Sequence, residues 1–197
     1  MNTLKIAFFT AVVSTSLFIS SCATKSVTRI DPEKQVDLSG RWNDVDSRKV
    51  ADEMTADCIN RPWRTSFENK LSKKPTIIVG EIVNKSHEHI EASTFIKDIE
   101  KEFINTATIR VVQSDSFREK LRMERADQQK FSSLDTQKKW GKELGADYMM
   151  FGTLNSIVDQ EGKRKVIFYQ INLELADLET NEIVWIGDKK IKKYVVN

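Results

Sequence analysis

The chain has 197 residues, 40% of them hydrophobic and 30% charged, which is enough apolar material for one core and too much for a wholly disordered polymer. Its 31 Lys and Arg stand against 29 Asp and Glu, a formal charge of +2 with both signs interspersed, so no sequence-wide field invites nucleic acid.

Residues 1–21 have the form of an export signal. Lys5 supplies a small positive start, Ile6 to Ile19 is uncharged and mostly apolar, and Ser20 and Ser21 precede Cys22. The apolar stretch falls short of the roughly 20 residues of a comfortable transmembrane helix. Ile19-Ser20-Ser21-Cys22 resembles a bacterial lipobox, which implies acylation of Cys22 as the first mature residue. Acyl chains bury methylenes at about 0.8 kcal/mol each, so several of them anchor a water-folded domain without a spanning helix. Ala23 and Thr24 follow without the Asp that retains such proteins at an inner membrane, which resembles an outer-membrane address with the protein facing the periplasm. The expected organisation is a signal peptide at 1–21, a lipidated N-terminus and flexible tether at 22–38, and a periplasmic globular domain at 39–197. The tether is polar, contains Pro32 and lacks periodicity; some 15 residues at about 3.3 Å reach only about 50 Å.

With Cys22 blocked, Cys58 is the one remaining thiol, so no intramolecular disulfide is available and the fold must rest on its core. Cys58 shares a helical stripe with Val50 and Met54, the position of a buried small hydrophobe. Asp46 or Ser47 is expected to cap this helix, which runs to about Asn60. Pro62 then suits the first turn of a second helix with Trp63, Phe67 and Leu71 on one stripe. Trp42 and Trp63 are expected to pack, with partner contact the rival role.

Pro75 to Asn84 is a nearly continuous apolar run, the pattern of a central strand covered on both faces, and Asn84 to His89 is its polar exit. Ser93 is expected to cap a helix carrying Phe95, Ile96, Ile99 and Phe103. With the short strand Ile109–Val112 this makes a right-handed βαβ crossover. Ser116 and Glu119 fit a capping box for a charged helix with Phe117 and Leu121 buried. A further helix from about Ser133 carries Leu134, Trp140 and Leu144 and ends on Gly145 as left-handed C-cap.

From Tyr148 onward the sequence becomes strand. Ile167, Tyr169, Ile171, Leu173 and Leu175 are apolar while Gln170, Asn172 and Glu174 interrupt the other face, the period of a half-buried strand. Turns at Gln160-Glu161-Gly162-Lys163 and Glu179-Thr180-Asn181-Glu182 make Tyr148 to Lys193 an antiparallel meander, with Trp185, Phe168 and Tyr169 as its aromatic contacts. The fold class is α+β (mixed α/β): a four to five stranded mixed sheet with a C-terminal antiparallel meander and helices packed on it.

Chemistry is sparse. His87 and His89 share one loop with no Gly-x-Ser-x-Gly elbow, and no phosphate-binding glycine loop occurs among the seven glycines. His87-Glu88-His89 lacks further ligands for a tetrahedral metal site, and Asp98 with Glu102 has the spacing of a solvated helix face. No catalytic residue, metal or cofactor is expected. Lys189, Lys190, Lys192 and Lys193 suit a charged edge strand that discourages aggregation, with attraction to anionic lipid or glycan as the rival.

The lipobox, the short tether, Ser39-Gly40-Arg41-Trp42-Asn43-Asp44, Gly145-Ala146-Asp147-Tyr148 leading to Gly152-Thr153, and Leu178-Glu179-Thr180-Asn181-Glu182-Ile183-Val184-Trp185 together resemble the LpoB family of penicillin-binding-protein activators. The Gly-Ala-Asp and Leu-Glu-Thr motifs are also similar to the wider group that holds the TolB N-terminal domain and the curli secretion lipoprotein CsgG. The resemblance implies a non-enzymatic, monomeric outer-membrane lipoprotein whose domain docks on a bifunctional class A penicillin-binding protein and stimulates peptidoglycan synthesis. It assigns no docking residues. The best-known members have a long Pro-rich tail where this chain has a short tether, which leaves a different envelope spacing, inner-membrane retention or a different partner open. The alternative is a structural subunit of an envelope or secretion assembly like CsgG, which requires a membrane-inserting segment of alternating residues that the sequence does not display.

Overall fold

The computed structural model describes residues 26–32, 34–133, 135 and 143–196. Its contacts divide the chain into two units, Met1–Lys34 and Gln35–Asn197. In the first, the described residues are exposed and irregular, with one turn in which the Lys34 N–H donates to the Asp31 carbonyl at 3.0 Å. The second contains α1 (Asp44–Ile59), α2 (Pro62–Leu71), β1 (Thr76–Lys85), α3 (Ala92–Asn105), β2 (Arg110–Val112), α4 (Asp115–Phe131), β3 (Tyr148–Glu161), β4 (Arg164–Asp177) and β5 (Ile183–Val196).

The strands form one mixed sheet in the order β2-β1-β3-β4-β5. β1 is parallel to both β2 and β3, and the C-terminal three strands form the expected antiparallel meander. β1 is buried at four consecutive residues, Thr76 to Val79, and its only deeply buried residue thereafter is Ile82. A bulge between Val79 and Ile82 inserts one residue against β3, so the inward positions switch from Ile77 and Val79 to Ile82.

On β4 the inward residues Ile167, Tyr169, Ile171, Leu173 and Leu175 are at most 1% exposed. Leu173 has Gly152 and Gly187 as its neighbours on β3 and β5. A Cβ at Gly152 would strike the Asn172 carbonyl, and one at Gly187 would strike the Trp185 ring. Gly187 thus leaves room for the Trp185 indole, whose N–H donates to Asp57 Oδ2 on α1 at 2.8 Å. Val50, Ala51, Met54 and Cys58 of α1, with Phe95, Ile99 and Phe103 of α3, complete the core on this face. Cys58 is fully buried, and burial pushes its thiol pKa up.

Several local expectations are corrected. Asn43 caps α1, because its Oδ1 accepts the N–H groups of Val45 and Asp46 at 3.0 and 3.2 Å. Asp46 is the reciprocal half of that box, accepting the Asn43 N–H at 3.0 Å. Ser47 instead accepts the Trp42 indole N–H at 2.8 Å. The N-cap of α3 is Glu91, whose carboxylate reaches the Ser93 N–H, and that of α4 is Ser114. Phe117 and Leu121 are 48% and 46% exposed, since the stripe they begin continues through Glu124, Arg125 and Gln128 and so buries nothing further. The ammonium groups of Lys97 and Lys120 lie over the Phe117 ring instead, at 5.3 and 5.1 Å. Leu71, at the end of α2, is also about half exposed. Gly145 has no left-handed φ, which among the described glycines belongs to Gly40 and Gly162. Leu134 and Trp140 lie outside the described residues.

The lysine run on β5 is not uniformly solvated. Lys189 pairs with Glu53, and Lys193, only 12% exposed, donates to Asp46 Oδ2 at 2.6 Å, Asp37 Oδ1 at 3.0 Å and the Arg41 carbonyl at 2.9 Å. Asp37 also accepts from Gln35 and Asn43, so the chain from Gln35 to Arg41 is latched to the end of β5.

Lys193→Met should lower unfolding free energy by about 3 kcal/mol, measured by urea denaturation, because it strands the buried Asp46 carboxylate. The bonds from Gln35, Lys193 and Asn43 depress the Asp37 pKa from 3.8 to about 2, so its contribution is complete above 3.8 and lost as pH falls toward 2. Burial opposes the Lys193 charge, yet Asp46 and Asp37 raise its pKa above the ordinary 10.5, so its contribution persists below 10.5 and is lost only as pH rises beyond it. The stability difference between wild type and Asp37→Asn should therefore vanish in acid and hold from pH 5 to 10.

Candidate functional site

Two elements far apart in sequence meet at one end of the sheet. On α2, Trp63 and Phe67 lie one turn apart and meet the ring of Tyr148 edge-on, with centroids at 5.1 and 5.5 Å. The Trp63 indole N–H is satisfied by the Cys58 carbonyl at 2.7 Å. Tyr148 opens β3 and is in register with Asp177, the last residue of β4, so the β4–β5 turn stands beside the same aromatic cluster. An open groove of about 760 Å³ runs between α2 and this turn.

The turn is held by its own polar groups. Asp177 Oδ1 accepts the N–H groups of Glu179 and Thr180 at 2.8 and 2.9 Å, and Asn181 takes a left-handed φ of 62°. These bonds, that to Thr180 first, hold the Asp177 carboxyl below its usual range. Leu71, Leu178 and Ile183 stand on the rim, about half exposed.

Four carboxylates and one ammonium, that of Lys70, line the groove. Asp147 is committed to the Thr76 N–H at 2.8 Å and Lys73 Nζ at 2.9 Å. The Glu179 and Glu182 carboxylates are exposed and have no hydrogen-bond or ion-pair partner among the described residues. Tyr148 is 5% exposed, and its hydroxyl likewise has no partner among them. Burial, followed by the charges of Asp177, Asp147 and Glu182, pushes its pKa up to about 12. A second recess, of about 690 Å³, lies along β5 and α1, but Lys189 and Lys193 there are already paired with Glu53, Asp37 and Asp46.

The residues singled out in the sequence are scattered. Cys22 lies outside the described residues. His87 bonds Ser156 Oγ through Nδ1 at 2.5 Å, and Glu88 is structural: Oε1 accepts the Tyr169 hydroxyl at 2.7 Å and Oε2 the Trp42 N–H at 3.0 Å. No three His, Cys, Asp or Glu among the described residues converge to hold a metal. Trp42 and Trp63 both pack, Trp42 against Phe95 and Tyr169. The groove was not singled out, although three acids within Asp177 to Glu182 were a visible signal.

A family model, that of the peptidoglycan-synthase activator LpoB, matches residues 46–191, from the first turn of α1 to within β5. The chain belongs to the LpoB family. Among solved structures, the LpoB C-terminal domain from Salmonella enterica is 12% identical, with a TM-score of 0.44 over 74% of this chain and 98% of that one. The domain from Escherichia coli is 16% identical, with a TM-score of 0.42 over 77% and 99%. The lipoprotein GNA1162 from Neisseria meningitidis is 13% identical, with a TM-score of 0.39 over 61% and 83%. No curated protein matches the sequence significantly. In this LpoB-family chain the groove lies within the matched span, and the latch residues Gln35 to Arg41 and Lys193 lie outside it.

Because the Tyr148 hydroxyl has no hydrogen-bond partner among the described residues, Tyr148→Phe should change unfolding free energy by less than about 0.5 kcal/mol. Tyr169→Phe, which removes a hydrogen bond to a largely buried carboxylate, should cost about 2 kcal/mol. Urea denaturation of the two variants in parallel tests the contrast.

Proposed function

We propose that this protein is a lipid-anchored periplasmic lipoprotein of the outer membrane, and that it binds a bifunctional class A penicillin-binding protein and stimulates its peptidoglycan synthesis. Membership of a family of peptidoglycan-synthase activators is the observation that carries the reading. The sequence up to Cys22 supports the anchor, with 1–21 as signal peptide, 22–38 as tether and 39–197 as the folded domain. No helix among the described residues is long and apolar enough to cross a membrane. Activation requires the domain to bind the synthase's active conformation better than its resting one, and about 1.4 kcal/mol of difference shifts that equilibrium tenfold.

Residues 35–197, purified and mixed with the class A synthase of the same organism, should form a complex and raise glycan polymerisation and crosslinking about fivefold or more. Unchanged rates with no complex would remove the activator reading. Fatty-acid labelling should mark Cys22, and a Cys22→Ala chain should be released from the membrane fraction; an unlabelled wild type, or a variant that stays membrane-bound, would overturn the anchor.

A further inference from the structure

We infer that the groove between α2 and the β4–β5 turn receives a basic side chain, Lys or Arg, flanked by an aliphatic residue, from a segment of the synthase partner. This inference rests on the activator reading and adds to it the chemistry and place of one contact. The groove's polar groups call for a donor of charge. Glu179 and Glu182 are acceptors without partners among the described residues, and the hydroxyl of Tyr148, a residue 5% exposed that lines the same groove, is a further acceptor without one. A guanidinium or ammonium is a donor that carboxylate and phenol oxygens both accept from, and it offsets the excess of carboxylates, whereas an acidic segment would add to it.

The apolar parts fit the rest of such a residue. The stems of Lys and Arg lie along apolar surface while their charged ends reach polar groups, and Leu71, Leu178 and Ile183 supply that surface. The protein shows the same pairing beside the groove. Lys73 Nζ sits 5.3 Å from the centre of the Phe67 ring and 2.9 Å from Asp147 Oδ1, a cation held between an aromatic face and a carboxylate. The recess along β5 does not compete, because its carboxylates are already neutralised by the chain's own lysines.

The test uses the full-length chain in detergent and the class A synthase, with binding measured by microscale thermophoresis at two salt concentrations. Wild type should bind more weakly at high salt. Glu179→Lys with Glu182→Lys should raise Kd at least tenfold and remove much of the salt dependence, while Glu161→Lys at the far end of the sheet should leave Kd within twofold. A photo-crosslinker at Leu178 should capture a synthase segment containing Lys or Arg next to an aliphatic residue. Wild-type binding that survives the double reversal unchanged would overturn the groove and leave the activator reading standing. Absence of any wild-type complex would overturn both. A fall of several degrees in the melting temperature of the free double variant would show that the protein's own cations fill the groove, and would also overturn the inference.

Discussion

Burial of one face of three fourteen-residue strands is the constraint from which the rest of this domain follows. β4 alone turns five large side chains fully inward, each contributing on the order of 1.5–3 kcal/mol when removed from water. A single sheet cannot hide such a face, so α1 and α3 must lie across it. Three large polar groups of the sheet find partners on elements distant in sequence: Tyr169 on Glu88, Trp185 on Asp57, Lys193 on Asp46. These bonds are costly to leave unmade, so they fix how the helices sit more tightly than apolar contact would.

What was legible in the sequence was what repeats. The alternation along β4 is visible because the inward residues from Ile167 to Leu175 are buried while those between them are only half-buried and mostly polar. The α3 stripe is visible because Phe95, Ile99 and Phe103 recur at helical spacing. The α1 cap was misplaced by a few residues because Asn43, Asp46 and Ser47 are all capping types, and only the backbone decides which side chain faces which N–H. In α4 the spacing misleads, since Phe117 and Leu121 are set for one face but have too little apolar company to be buried.

The groove was illegible for a different reason. None of its parts is unusual alone: Trp63 and Phe67 are helix packing residues, and Glu179 and Glu182 belong to a polar turn. They become one site only because β3 and β4 pair with Tyr148 opposite Asp177, a register that brings together residues about thirty apart, and because Pro62 starts α2 against the same strand end. Sequence spacing carries no record of such a meeting. The unpaired acids are informative only once the structure shows that the other carboxylates near them are already taken.

β5 ties the two ends of the domain together. Its first residue, Ile183, stands on the groove, and Lys193 near its end holds Asp37 and the Arg41 carbonyl. Ten residues of strand separate them, about 33 Å at the usual rise. The chain that precedes the domain is therefore gripped at one end of β5 while the groove opens at the other. While Lys193 holds Asp37 and the Arg41 carbonyl, the segment from Gln35 to Arg41 is fixed at one end of β5, and the groove lies at the end of the sheet farthest along the strand from it.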